Sequence, residues 1–189
     1  MLKIENISKT FKNEKKLNNL SFTVPEGEIY TLVGNKGEGK TTLLEIITGF
    51  TKPDEGNIYI KGKDCLSGRD KLKKMFGYVP DVFPLYSHMT LKEYMRFFGA
   101  MMEIDEEKVK HLTVNLLGFV GLSDEIDIRI SKLNRLQKQK LSIARALLHN
   151  PKLIILDEPF YRLDVAGVRE IKEILDFLHK QGRTIFMTS

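Results

Sequence analysis

Gly34-Asn35-Lys36-Gly37-Glu38-Gly39-Lys40-Thr41 is the stretch on which the reading of this chain turns. It fits the pattern G-x-x-x-x-G-K-[ST], and it stands in the context that pattern requires. The apolar run 29–33 precedes it, and good helix formers over 40–48 follow it, ending at Gly49. Glycine admits backbone conformations that turn successive N–H groups inward, and the start of a helix adds the positive end of its dipole. The segment therefore makes a cradle for phosphate oxygens. Residues 34–42 are assigned as a phosphate-binding loop, with Gly34, Asn35, Lys36, Gly37, Glu38, Gly39, Lys40, Thr41 and Thr42 as the nucleotide contacts. Lys40 is expected to reach the β and γ phosphates, and the Thr41 hydroxyl to ligate Mg²⁺.

A second element fits the first. Leu153-Ile154-Ile155-Leu156-Asp157-Glu158 reads as a short buried strand that delivers two carboxylates at its end, where ligands bind in open parallel sheets. Asp157 is expected to hold Mg²⁺ through water, and Glu158 to orient and deprotonate an attacking water as the catalytic base.

Outward from these motifs, Leu20, Phe22 and Val24 alternate with polar residues, Pro25-Glu26-Gly27 turns the chain, and Ile58-Tyr59-Ile60 follows a second turn at Pro53-Asp54-Glu55-Gly56. From about residue 90 to 148 the spacing becomes helical, with Met95, Phe98 and Met102 on one stripe and Val109, Leu112 and Leu116 on another. A helix is predicted over 168–179 and a last strand over 184–187. Strands alternating with helices imply an α/β fold with a mainly parallel sheet and right-handed crossovers.

With 189 residues, 42% of them hydrophobic, the chain suits a single domain of ordinary core size. Its net charge of +5 is compatible with an anionic partner but identifies none. One cysteine, Cys65, cannot form an internal disulfide, and no charged-then-apolar leader opens the sequence, which predicts a reducing cytoplasm. No stretch approaches the roughly 18 apolar residues of a membrane helix, so a bilayer-spanning part is expected on another subunit.

Several ordered segments resemble the nucleotide-binding domain of ABC transporters over essentially the whole chain: Leu20-Ser21-Phe22, Gly27-Glu28-Ile29, Thr42-Leu43-Leu44, Ile47-Thr48-Gly49, Gly77-Tyr78-Val79-Pro80, Gln139 to Leu147 and Leu156-Asp157-Glu158-Pro159. The resemblance implies a P-loop NTPase core with an antiparallel β portion near the N-terminus and a helical subdomain, in one domain over 1–189. The core takes 1–84 and 151–189, the helical subdomain 85–150. It implies ATP and Mg²⁺ as ligands and a head-to-tail dimer with a second ATP-binding domain, identical or different. A transmembrane permease is the implied partner, at the cytoplasmic face of the membrane, and no nucleic acid. Phe11 takes the place of the family's adenine-stacking aromatic residue.

Four features depart from the family. Its signature Leu-Ser-Gly-Gly-Gln is Leu133-Asn134-Arg135-Leu136-Gln137 here, so both glycines are gone. Asn134 and Gln137 remain as expected contacts to the partner's nucleotide, Asn134 also as a helix cap, while Leu136 places an apolar side chain where backbone should face phosphate. Arg135 is either a cation aimed at the transferring phosphoryl group or a solvated side chain on a released segment. Asp81 stands where the family commonly has a glutamine that contacts Mg²⁺ and the attacking water, and it remains a candidate catalytic and metal-ligating oxygen. Phe160-Tyr161-Arg162 puts bulk beside the implied dimer seam. Finally, Ser189 ends the sequence where the family's switch histidine would follow.

The implied function is the ATP-binding, energy-coupling subunit of a bacterial ABC transporter, an exporter, with hydrolysis reduced in this chain alone. The apolar residues of 81–94, namely Val82, Phe83, Leu85, Tyr86 and Met89, would meet the permease. The alternative is an ABC-type nucleotide switch acting on ribosomes or DNA. A GTPase or small-molecule kinase would leave Gln139 to Leu147 unexplained.

Overall fold

The computed structural model describes residues 1–11, 14–65, 74–81 and 86–189. Strands β1 (Leu2–Phe11) and β2 (Glu14–Val24) pair antiparallel, with Leu2 opposite Val24 and Ile4 opposite Phe22. The turn at Gly27, whose φ is +77°, sends β3 (Ile29–Leu32) into a different sheet. Helix α1 (Lys40–Ile47) follows the glycine loop and ends at a Thr48 cap, with Gly49 left-handed just beyond it. β4 (Glu55–Ile60) and β5 (Lys63–Asp64) then complete an antiparallel sheet of order β2-β1-β4-β5.

The second sheet is wholly parallel. It joins β3 to β6 (Phe76–Val79), β7 (Leu153–Leu156) and β8 (Thr184–Thr188) in the order β3-β8-β7-β6. All four residues of β7 are buried, as a strand with both faces covered requires. Because side chains alternate, β7 belongs to two interiors. Leu153 and Ile155 join Leu43, Leu44, Ile46 and Ile47 of α1 and Leu2, Ile4 and Ile7 of β1 in one core. Ile154 and Leu156 join the other, with the helices that follow.

Those helices are α2 (Leu91–Met101), α3 (Glu106–Phe119), α4 (Arg135–Ala146) and α5 (Val165–Lys180), with a 3₁₀ turn at Ile130–Lys132. Each of the four begins at a side-chain cap: Thr90, Asp105, Asn134 and Asp164 accept from the backbone N–H three residues on. Asp164 explains why α5 starts at Val165 rather than at the predicted 168. Its Oδ1 accepts from Gly167 N at 2.8 Å and opens the helix before the first apolar periodic residue. On α3 the buried row is Val109, Thr113 and Leu117, while Leu112 and Leu116 are half-buried. Thr113 can be buried because its hydroxyl donates to Val109 O at 2.8 Å, a satisfaction that a count of apolar residues cannot see.

The predicted fold class holds: a parallel sheet with helices, and an antiparallel β portion drawn from the N-terminal third of the chain.

Candidate functional site: a phosphate cradle and two strand-end carboxylates

The glycine loop lies between β3 and α1, at the C-terminal edge of the parallel sheet. Gly37 and Gly39 have φ of +92° and +89°, in the region that side-chain-bearing residues avoid. Gly39 is constrained twice, since a Cβ there would lie 2.5 Å from Lys16 O. The Lys40 ammonium folds back over the loop, donating to Gly34 O and, at 3.3 Å, to Asn35 O, and it stands 3.5 Å from Glu158 Oε1. The Glu38 carboxylate accepts from Asn35 N at 2.7 Å and from Asn35 Nδ2 at 2.8 Å, and these bonds hold it below the usual carboxylate range.

The end of β7 supplies the acidic side. Asp157 is 4% exposed; it accepts from Thr188 Oγ1 at 2.6 Å and, weakly, from Thr41 Oγ1 at 3.4 Å. Burial pushes its carboxyl above the ordinary range against the pull of the Thr188 bond, and the nearby charges of Asp81 and Glu158 push it further. The same Thr188 hydroxyl accepts from Glu158 N at 3.0 Å. Glu158 has φ of +42°, a conformation that sets its carboxylate toward Lys40 as the chain leaves the strand. Thr188 was not among the expected residues. It is fully buried on β8, and its role arises from the parallel register of β7 and β8, which no local pattern announces.

One cavity of about 620 Å³ gathers most of the expected contacts: Gly34, Asn35, Lys36, Gly37, Gly39, Lys40, Thr41, Thr42, Asp81, Asp157 and Glu158 all line it, joined by Lys16, Tyr161 and Ser189. Glu38 sits beside it through its bonds to Asn35. Phe11 is not in the lining. It is 41% exposed, with Lys9 Nζ 5.2 Å from its ring centroid. Asn134 and Gln137 are also outside the lining and are engaged with each other: Asn134 Oδ1 accepts from Gln137 N at 2.8 Å, and Gln137 Oε1 from Asn134 N at 3.0 Å.

Both sequence readings of Arg135 need correction. Its guanidinium neither projects as a free cation nor lies in solvent alone. Nη2 donates to Asp81 Oδ1 at 2.9 Å and to Asp81 O at 3.2 Å, in the same chain. Leu136 does not project as expected either. It is half-buried on the core, 3.5 Å from where a Cβ on Gly167 would lie. The apolar drive that a phosphate-facing leucine would frustrate is met by the chain's own interior. Of the bulky segment, Phe160 also packs on the core, while Tyr161 is 42% exposed under the Arg162 guanidinium. Of the apolar residues of 81–94, Val82, Phe83 and Leu85 lie outside the described residues. Tyr86 packs its ring 5.1 Å from that of Phe97, and Met89 rests on the core.

The family model described as "ABC transporter" matches residues 17–161. The chain belongs to the ABC transporter family. This cassette is 36% identical over its whole length to the lantibiotic transport ATP-binding protein SrtF of Streptococcus pyogenes, 80% of which it covers. It is 35% identical over its whole length to the ATP-binding protein YxlF of Bacillus subtilis, of which it spans 62%. Among solved structures, the dimeric post-hydrolysis cassette MJ0796 with ADP and Pi matches all of this chain and 88% of its own with a TM-score of 0.89 at 28% identity. The ADP conformation of the cassette MJ1267 matches all of this chain and 80% of its own with a TM-score of 0.88 at 29% identity.

The cassette's residues fit a divalent ion. Asp157 is buried and forms no ion pair among the described residues, and its neutral partners are hydroxyls. A hard cation beside it would relieve the cost that raises its pKa. No three His, Cys, Asp or Glu side chains converge as a metal-holding group among the described residues, so Thr41 and Asp157 would share such an ion with phosphate oxygens and water.

Proposed function

We propose that this cassette binds Mg-ATP at the cavity described above and serves as the energy-coupling subunit of a bacterial exporter. The observation that carries the reading is the convergence in one cavity of the loop backbone, Lys40, Thr41, Asp157 and Glu158. Lys40, held among the described residues by two carbonyls and a carboxylate at 3.5 Å, turns to the β and γ phosphates when they enter. Glu158 orients the attacking water and takes its proton. Thr41 and Asp157 would hold Mg²⁺, which would supply charge neutralisation on the phosphate oxygens. Phe11, 41% exposed, is the ring we assign to stack on adenine.

The export reading rests on relatives. SrtF is named for lantibiotic transport, and a relative from Rhizobium for Nod factor export. The Yersinia pestis relative MacB 2 is an ATP-binding/permease protein of which this chain covers 29%. No described helix here is long and apolar enough to cross a membrane. On the strength of the transporter relatives, the proposal sets this chain at the cytoplasmic face of a membrane, working with a transmembrane permease. A groove lined by Phe50, Tyr78, Phe98 and Met102, with Phe50 75% exposed, offers apolar surface to a helix of that subunit. Within the cassette we assign residues 85–150 as the helical subdomain and 1–84 with 151–189 as the ATP-binding core.

Dimerisation around ATP would bring Asn134 and Gln137 to the partner's γ phosphate. Their mutual capping bonds leave them less free to do so, and Arg135 and Leu136 are turned into their own chain. A homodimer of this cassette therefore hydrolyses ATP slowly, whereas a heterodimer pairs Lys40, Asp157 and Glu158 with a partner's glycine-bearing signature. Turnover of the purified chain decides this. The expected rate lies about 10²–10³ below that of an intact homodimeric cassette, the cost of losing a preorganised charge contact. The Arg135→Gly/Leu136→Gly variant is expected to recover part of it. A full rate from the unaltered chain overturns the heterodimer reading, and failure to bind nucleotide at all overturns the site.

A further inference from the structure

Two of the sequence's departures touch each other. Asp81 follows β6 and lines the cavity, Arg135 opens α4, and 54 positions separate them. The contact is double, with guanidinium Nη2 to carboxylate at 2.9 Å and to carbonyl at 3.2 Å. Both side chains are about a third exposed, so the pair adds little to stability. Its consequence lies in where charge sits. Asp81, Asp157 and Glu158 all line the cavity. Lys40 faces Glu158 and Arg135 faces Asp81, while among the described residues the Asp157 carboxylate meets two hydroxyls and no cation.

We propose that Arg135 is a positioning residue for its own chain's nucleotide site, clamping Asp81 and cancelling its charge so that the metal demand of nucleotide binding is set by Asp157. The proposal rests on the Mg-ATP reading above. The clamp converts a position expected to serve the partner's nucleotide into one that serves the chain's own. It also ties the first turn of α4 to the end of β6.

Signs follow from Coulomb's law. Loss of Arg135 leaves the Asp81 carboxylate uncompensated beside the cavity. A bare carboxylate repels metal-free ATP and attracts Mg²⁺, so the two affinities move in opposite directions. A lost packing contact would move both the same way.

The test titrates a fluorescent ATP analogue in EDTA and then follows Mg²⁺ dependence at fixed analogue, with Mn²⁺ occupancy read by electron paramagnetic resonance. Arg135→Ala is expected to weaken metal-free binding and to lower the Mg²⁺ or Mn²⁺ midpoint, each on the order of fivefold for one partly screened charge. Arg135→Lys should lie near the unaltered chain, and Asp81→Asn/Arg135→Ala should abolish both shifts. Shifts of the same sign, no shift, or shifts that persist with Asn at position 81 overturn the clamp. If the unaltered chain binds no nucleotide, the Mg-ATP reading fails instead.

Discussion

Thr188→Val is the perturbation that most directly examines how the acidic side of the cavity is built. Valine keeps the shape of a fully buried threonine and removes its hydroxyl, which serves two groups: it donates to Asp157 at 2.6 Å and accepts from Glu158 N at 3.0 Å. A hydrogen bond to a charged group contributes about 1.5–3 kcal/mol, and a backbone N–H left without its acceptor costs about 1–3 kcal/mol. Some relaxation toward solvent at the half-buried Glu158 brings the sum to about 3 kcal/mol, and in a chain of this size each kcal/mol moves Tm by roughly 2–4 °C, a fall of about 6–12 °C. The loss depends on pH in a defined direction. The Thr188 bond lowers the Asp157 pKa from the higher value that burial imposes, so removing it raises that pKa further. The stability lost is then full where Asp157 is ionised, above its folded pKa, and shrinks as acid protonates it. Calorimetry at neutral pH and near pH 4, with Thr188→Ser as the hydroxyl-keeping control, reads both effects. Equal Tm for Thr188→Val and the unaltered chain at neutral pH, or a deficit that grows in acid, would refute the reasoning.

Two further outcomes concern the loop. Gly37→Ala is expected to cost only the left-handed conformation, about 1–2 kcal/mol, since a Cβ there meets nothing within 4 Å, while Gly39→Ala adds a collision with Lys16 O and should melt lower and bind nucleotide more weakly. Thermal melts of the two variants side by side check the order. Glu38→Ala should raise nucleotide affinity several-fold, because it withdraws a carboxylate that occupies Asn35 N–H and repels phosphate; a nucleotide titration showing weaker binding would contradict that.

The parts legible in the sequence are those whose causes are local. The glycine loop announces itself because φ above zero at positions 37 and 39 demands glycine, and β7 because a strand buried on both faces must be apolar at every position. The Asn134 cap follows from residue type at a helix start, whereas the Asp164 cap, which opens α5 three residues before its first apolar periodic residue, does not show in that periodicity. What the sequence withheld arises between distant segments. Asp81 and Arg135 were read as separate losses because nothing in either neighbourhood records a contact across 54 positions. Thr188, one residue beyond the predicted last strand, carries no local signal of its role because its two partners arrive from the neighbouring strand's end. Leu136 was placed against phosphate because family position was followed, whereas apolar area near Gly167 took it inward.

The alternation along β7 has a consequence for how the molecule comes apart. Leu153 and Ile155 face one interior, Ile154 and Leu156 the other, so the strand is a wall common to two rooms, and neither can be emptied while the wall stands. A fluorophore in either room should then report the same unfolding transition. Asp157, hung from the end of that wall and tied back to Val79 O at 2.8 Å, keeps its place until both give way.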